Sequence, residues 1–321
     1  MSITERIDAI TKIPLERLQS AVPAPKSVKI ELTARCNYLC SFCALRTRES
    51  KAKGDIDFKL FKKITQEMKE AGVEEIGLFF LGESFISPDI LIGAIEWCKQ
   101  EMEFPYVFLT TNGSLANKQV VFEAMDAGLD SLKWSVNAAD EEQFEKIMGV
   151  KKSLFWTSLT NLREARYVRD SNQFKCTLSA SSIQYDGEQG LKMEALIKDH
   201  VAPWVDQHYW LPLYGQMTHW NEDREADLGY KPTAGNQGRI GALRDPLPCW
   251  TCFTEGHVTA EGLLTACCFD SDGRFKMGDL KTENFMDAWN SIKFQELRQC
   301  HLNKDVKGTI CEGCLAYENM D

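Results

Sequence analysis

No run of eighteen apolar residues occurs anywhere in the 321-residue chain, so no segment reads as a membrane-spanning helix. The chain also lacks an excess of positive charge. Lys and Arg number 37 against 47 Asp and Glu, a formal net charge of -10. That balance argues against a generic nucleic-acid or membrane surface, which needs clustered Lys and Arg, while leaving room for a local basic pocket. The first residues, Met1 to Lys12, carry Glu5, Asp8 and Lys12 and lack the apolar centre of a signal peptide. The 12 cysteines lack the scattered spacing of a disulfide framework and fall mostly in clusters towards the two ends of the chain. A reducing, cytoplasmic setting is expected, where cysteines hold metal more often than they form disulfides.

What is present is alternation. An amphipathic helix over Ile3 to Val22 precedes Pro23 and Pro25 and reads as a cover for one end of the fold. Strand-like and helix-like stretches then follow in turn. The expected strands are Ser27 to Thr33, Glu75 to Phe80, Tyr106 to Thr110, Ser131 to Val136, Phe174 to Ser181 and Asp206 to Leu213. The expected helices are Phe58 to Ala71, Pro88 to Met102, Asn117 to Ala127, Ser153 to Val168 and Leu191 to His200. Six strands alternating with helices predict an α/β fold with parallel pairing and right-handed crossovers, and ligands at the carboxyl ends of the strands.

The first strand runs directly into Cys36, Cys40 and Cys43, spaced C-x3-C-x2-C with Phe42 before the third cysteine. Three thiolates on a tight loop can hold three corners of a cubane iron-sulfur cluster and leave the fourth iron open to a small molecule. A zinc loop would need a further Cys or His nearby, and none lies in the next fifty residues. This motif resembles the radical S-adenosylmethionine (radical SAM) family. The resemblance implies a partial (β/α)6 TIM-like barrel over 27–235, a 4Fe-4S cluster on Cys36, Cys40 and Cys43, and S-adenosylmethionine chelated to the open iron. It further implies a 5′-deoxyadenosyl radical that takes a hydrogen atom from substrate, and a reductant such as flavodoxin or ferredoxin.

Candidate cofactor contacts follow at the strand ends. Leu81-Gly82-Glu83 stands where the family usually has Gly-Gly-Glu, and the acceptor-only side chain of Glu83 suits the methionine ammonium. Asn112-Gly113 closes the third strand and reads equally as an ordinary turn. Ser135 and Asn137 share one face at the end of the fourth strand, with Val136 on the other. Arg163 and Arg166 share a helix face, where either meets the cofactor carboxylate or simply faces solvent. Phe42 belongs to the same set by resemblance. Cys98 and Cys176 read as core thiols. Ending or following the last strand, Trp210, Tyr214, His219 and Trp220 suit stacking on a sugar ring or an amino-acid side chain, and 234–238 reads as a connector.

The last part holds a second cysteine set. Cys249 and Cys252 are followed by Gly262, Cys267 and Cys268, then Gly278-Asp279-Leu280, Trp289-Asn290 and finally Cys311 and Cys314. A hairpin at Gly262 would return a cysteine towards the first pair, a geometry open to zinc or iron-sulfur. The motifs resemble the SPASM extension of the radical SAM family in its shortened, twitch form. That implies a small C-terminal domain over 236–321 with one auxiliary 4Fe-4S cluster on Cys267, Cys311, Cys314 and one of Cys249 or Cys252. Cys268 is expected to pack in the core while Cys267 ligates. Residues 1–26 are left as the helical cover.

Two clusters suit oxidation of a carbon that bears a hydroxyl or amine, because the auxiliary cluster can take the second electron. The reading is a radical SAM oxidoreductase acting on a small-molecule substrate, a dehydrogenase of a small polyol such as a sugar, aminocyclitol or nucleotide sugar. An epimerase with a thiol hydrogen donor among Cys249, Cys252 and Cys300 is the near rival. A ribosomal-peptide maturase and a non-catalytic electron carrier are the others. Neither nucleic acid nor membrane is expected as a partner.

Overall fold

The structure is a computed structural model that describes residues 1–43, 45, 54–212, 239, 245–270, 275–312 and 314. Helix α1 (Ile3–Thr11) is started by a Ser2 and Glu5 capping box. It stops well before Val22 because Pro14 disfavours helical backbone at Ile13. The chain then alternates through β1 (Ser27–Ile30), α2 (Phe58–Ala71), β2 (Glu75–Gly77), α3 (Pro88–Glu96), β3 (Tyr106–Thr111), α4 (Lys118–Asp126), β4 (Ser131–Ser135), α5 (Glu141–Met148), α6 (Ser153–Asn172), β5 (Thr177–Ile183), α7 (Gly187–Leu196) and β6 (Gln207–Leu211). Next come α8 (Thr251–Thr254), β7 (Glu255–Val258), β8 (Leu263–Thr265), β9 (Lys276–Asp279), α9 (Phe285–Trp289) and α10 (Ile292–Leu302).

Helix α2 shows why such residues fold where they do. Asp57 accepts from the Leu60 amide at its start, and Gly72, at φ 92, ends it in the left-handed region. Phe61, Ile64, Thr65 and Met68 form its buried stripe. Helix α5 went unmarked in the sequence expectation because it is only eight residues long, yet Asp140 caps it and Gly149, at φ 64, closes it. Among the described residues no helix is long and apolar enough to cross a membrane.

The strands form one nine-stranded sheet in the order β6-β5-β4-β3-β2-β1-β7-β8-β9, parallel from β6 through β7 and antiparallel thereafter. Paired residues define two faces. Val28, Ile76, Val107, Leu132, Trp134, Leu178 and Ala180 face outward and are fully buried in the helix-covered core. The inward face carries Lys29, Glu75, Ser131, Lys133, Ser179, Ser181, Tyr209 and Glu255. A parallel sheet buried on both sides normally reads as near-continuous Val, Ile and Leu. Here the polar inner face lines a cavity instead.

Strand β7 pairs with β1 from Ser27 opposite Glu255 to Ile30 opposite Val258, so the segment with the second cysteine set continues the barrel sheet. Arg298 locks this arrangement. Fully buried, it donates to the carbonyls of Cys252, Ser20 and Trp289 and to Asn290 Oδ1. The Trp289-Asn290 pair clamps the strap before β1: Trp289 Nε1 donates to the Pro23 carbonyl at 3.0 Å, and Asn290 bonds Val22 in both directions. Tyr214, His219, Trp220, the connector at 234–238 and the proposed boundary near 236 lie outside the described residues.

Candidate functional site

The cysteine loop leaves β1 and is held by groups that local pattern alone did not pair. Leu39 N and Ser41 N donate to the Met148 and Ile147 carbonyls at 2.9 and 2.8 Å, so the end of α5 pins the loop. Tyr38 packs edge-on against Phe144, with ring centroids 5.5 Å apart, and the Met148 sulfur lies 3.4 Å from Cys40 Sγ. Cys36, Cys40, Phe42 and Cys43, all half-buried, line a cavity of about 260 Å³ together with Gly82, Glu83, Asn112, Ser135 and Asn137. Val136, expected on the opposite face, lines it as well, because β4 ends at Ser135 and alternation stops there.

Gly82 is fixed by close approach. A Cβ there would stand 1.9 Å from the Thr33 carbonyl oxygen and 2.9 Å from that of Arg35. The Glu83 amide donates to Arg35 O at 2.8 Å, tying the loop after β2 under the cysteine loop. The Glu83 side chain is buried, and its oxygens accept from the amides of Asn112 (2.7 Å) and Phe85 (3.2 Å) and from the Thr111 hydroxyl (2.9 Å). Burial pushes its carboxyl up to about 7 against the pull of these hydrogen bonds. Asn112 is held in turn by Asn37 and Ser114, with Nδ2 4.0 Å from Cys36 Sγ. Leu81, in place of the usual glycine, is buried at the same cavity wall.

Arg163 and Arg166 are not brought to this cavity. Phe155, Ser158 and Leu159 of the first half of α6 line it, and the helix then runs towards the amino ends of the strands. Arg163 is exposed, and Arg166 pairs with Asp170 at 2.6 Å and with Asp206 at 3.4 Å, just before β6. Spacing showed that the two share a face, but not where along the barrel that face lies.

The second set converges near β7. Cys249, Cys252, Cys311 and Cys314 are buried and Cys267 is half-buried. Burial raises the Cys252 and Cys267 thiols well above their ordinary value; Cys249 and Cys311 act on the first, and Cys268, Cys311 and Cys314 on the second, in the same sense. His301 bridges the set: its Nδ1 accepts from the Cys249 amide at 3.2 Å and its Nε2 lies 3.4 Å from Cys311 Sγ. Cys300, beside it on α10, lines neither cavity.

Cys268 departs from its expected place in the core. The strand ends at Thr265, so strict alternation no longer applies three residues later. Cys268 is half-buried and lines a second cavity inside the barrel, of about 230 Å³. That cavity runs from Phe79 and Thr110, which also line the first one, to Trp250 and Phe269 beside the second cysteine set. Residues Ile3, Arg6, Ile7 and Ile10 of α1 form its floor. In its wall Lys29 pairs with Glu255 at 2.8 Å, and His257 Nε2 lies 2.9 Å from the same carboxylate. Burial alone would raise Glu255, but Lys29 and His257 hold it down at about 2.

Both cysteine sets fit iron-sulfur clusters. Burial pushes the Cys36 thiol up to about 12, and the charges of Glu83 and Cys43 add to that, so ionising neighbouring thiols here requires a cationic centre to compensate. Among the described residues no three His, Cys, Asp or Glu side chains close around a single ion. A cubane presents separate iron corners and takes ligands set further apart.

Comparison with known proteins agrees. Residues 30–171 match the model of the Radical SAM superfamily, and 249–315 match that of an iron-sulfur cluster-binding domain, SPASM. An S-adenosylmethionine-dependent nucleotide dehydratase of Oncorhynchus mykiss is 30% identical over 149 residues, covering 46% of this chain and 41% of the relative. A PqqA peptide cyclase of Methylorubrum populi is 27% identical over 132 residues, covering 41% and 33%. The chain spans about two fifths of the length of the first curated relatives it matches. Streptococcus suis SuiB, solved with its precursor peptide SuiA, superposes with a TM-score of 0.65 at 15% identity over 92% of this chain and 71% of its own. BtrN, solved with AdoMet and 2-DOIA, gives 0.54 at 15% over 86% of each. At such identities the structural likenesses show the fold, and the family models show the descent. The chain is a radical SAM enzyme, with 4Fe-4S clusters and S-adenosylmethionine as its cofactors and a SPASM iron-sulfur domain at its C-terminal side.

Proposed function

We propose that this enzyme dehydrogenates a small polyol, such as a sugar, an aminocyclitol or a nucleotide sugar, held in the barrel cavity. The observation that carries the reading is the cavity's position. It is lined both by Phe79 and Thr110, shared with the cysteine-loop cavity, and by Trp250, Cys268 and Phe269 beside the second cysteine set. Bound at Cys36, Cys40 and Cys43, a cluster with S-adenosylmethionine supplies a 5′-deoxyadenosyl radical, and a second cluster on Cys267, Cys311, Cys314 and Cys249 or Cys252 supplies an electron acceptor. A carbinol carbon that becomes a carbonyl gives up one hydrogen atom, one proton and one electron, so it needs both ends of such a cavity.

The chain's own residues position and shield the substrate. Ser131, Tyr209 and Lys133 offer polar contacts along one wall, while α1, Phe108 and Phe79 keep bulk water from the reacting carbon. A reductant such as flavodoxin or ferredoxin belongs to the same proposal. One observation favours an epimerase as the second reading: Cys268 presents a thiol to the cavity, where it can return a hydrogen atom to the face away from the cysteine loop. A peptide substrate draws support from relatives named for peptide chemistry. The size of the cavity, about 230 Å³ above the floor made by α1, supports a smaller one.

The test is to incubate reconstituted enzyme with S-adenosylmethionine, dithionite and a panel of sugars, aminocyclitols, nucleotide sugars and, separately, short peptides in deuterated water, with mass spectrometry of the products. A product short of two hydrogens supports dehydrogenation. Deuterium carried into a product of otherwise unchanged composition, and lost with Cys268→Ala, supports the epimerase. Turnover of a peptide and of no polyol overturns both.

A further inference from the structure

We propose that Lys133 anchors an anionic group of the substrate, a phosphate or a carboxylate carried on a small polyol, inside the barrel. The inference rests on reading the barrel cavity as the substrate site. Among the described residues four cationic side chains line that cavity: Arg6, Lys29, Lys133 and Arg239. Three have a carboxylate partner: Arg6 with Glu75 at 3.0 Å, Lys29 with Glu255 at 2.8 Å and Arg239 with Asp8 at 2.7 Å. Among the described residues Lys133 has none. Its only contact of that kind is the face of the Tyr209 ring, with Nζ 5.8 Å from the centroid, at the outer limit of a cation–π interaction. Half-buried in the cavity wall, a cation without an ion-pair partner of its own is costly for a fold to keep. Burial and the charge of Lys29 draw the ammonium down to about 8 against the opposing pull of the Glu255 carboxylate, which is already paired with Lys29, so it remains mainly protonated at neutral pH.

Its position makes it an anchor and not merely a leftover charge. Lys133 lies on β4 two residues before Ser135, which lines the cysteine-loop cavity. Two residues of strand rise about 6.6 Å, the scale of a sugar ring. Thr110, which lines both cavities, is the direct strand partner of Lys133, so an anion held there sits level with the junction and its polyol extends from it towards Ser135 and the cysteine loop. A neutral sugar would leave the ammonium without an ion-pair partner, as before. The substrate class thus narrows to phosphorylated or carboxylated polyols.

The test uses anaerobically purified holoenzyme with S-adenosylmethionine and measures the binding of three probes by calorimetry: glucose 6-phosphate, gluconate and neutral glucose. At least one anionic probe is expected to bind wild type at least tenfold tighter than glucose. Whichever anion binds identifies the group. In Lys133→Met that affinity falls roughly 10- to 100-fold, the loss expected for a charge-assisted hydrogen bond, and the preference over glucose is lost, while S-adenosylmethionine affinity at the cysteine-loop cavity, which Lys133 does not line, stays unchanged as the control for an intact protein. Lys133→Arg keeps the preference for anions, and Lys133→Gln repeats the measurement if the Met variant does not fold. Unchanged binding of the anionic probes by the neutral variants overturns the proposal. Equal affinity of wild type for glucose and for the anions overturns the anchor and leaves the cavity reading standing. Binding of no probe overturns the anchor and the polyol reading together.

Discussion

Replacing Gly82 with alanine tests how the cysteine loop is held. The new Cβ would stand 1.9 Å from Thr33 O, where an unstrained carbon-to-oxygen contact needs about 3.3 Å. Relief therefore takes a movement of roughly 1.4 Å in one of two backbones. One is the loop that follows β2 and the other runs straight into Cys36, and the hydrogen bond from Glu83 N to Arg35 O joins them. Overpacking costs about 1–3 kcal/mol and the strained hydrogen bond about 1 more, so destabilisation of roughly 2–4 kcal/mol is expected. A displacement of about 1 Å at a reacting centre costs on the order of 100-fold in rate. The assay is 5′-deoxyadenosine release with dithionite, alongside thermal unfolding and iron content. The variant should lose about 100-fold in nucleoside release and retain the iron of the second cysteine set. The control is Gly93→Ala in α3, where the nearest atom to a new Cβ is Phe58 Cζ at 3.4 Å, an ordinary contact. It should unfold at the wild-type temperature or slightly above, since alanine favours helix over glycine. Nucleoside release by Gly82→Ala within threefold of wild type, with full iron, would refute the reasoning.

Two further outcomes follow. Burial raises the Glu83 carboxyl above its ordinary value, to about 7, so its contribution to stability is complete at pH below the ordinary carboxylate range and is lost as pH rises through about 7. The loss amounts to roughly 3 kcal/mol. Glu83→Gln should flatten that part of the pH–stability curve while leaving one of the Asn112, Thr111 or Phe85 donors unsatisfied, at about 1–3 kcal/mol; denaturant titrations at pH 5 and pH 8 measure both, and parallel curves for variant and wild type would count against the assignment. Arg166→Ala breaks a surface pair with Asp170 and Asp206 and should cost under about 1 kcal/mol, with S-adenosylmethionine affinity unchanged; a tenfold weaker affinity would return Arg166 to the cofactor site.

Much of this molecule is legible in its sequence because the signals are local. Helix α2 begins and ends at the expected residues, since Asp57 and Gly72 are explicit stops around an apolar stripe. The three-cysteine loop and the strand-end motifs are read from adjacent residues, and the structure gathers Glu83, Asn112, Ser135 and Asn137 around one cavity with Cys36, Cys40 and Cys43. What escapes the sequence depends on distance or direction. That Arg163 and Arg166 share a helix face is visible, whereas which end of the barrel they reach is set by the course of α6. Cys268 escapes because period-two alternation assumes a strand that has already ended. The pairing of β7 with β1 joins residues more than two hundred positions apart, which no local pattern encodes. Lys133 sits in an otherwise ordinary strand, Ser-Leu-Lys-Trp-Ser, and only the counting of partners around the cavity distinguishes it.

The central claim is that two separate iron-sulfur centres flank one barrel cavity. It is tested most directly by iron and sulfide content after anaerobic reconstitution of wild type, of a Cys36/Cys40/Cys43→Ala variant and of a Cys267/Cys311/Cys314→Ala variant. About eight irons in the wild type and about four in each variant are predicted, as two cubane clusters require. About four in the wild type, none in the first variant and an unchanged four in the second would contradict it, leaving a single cluster and no electron acceptor across the cavity.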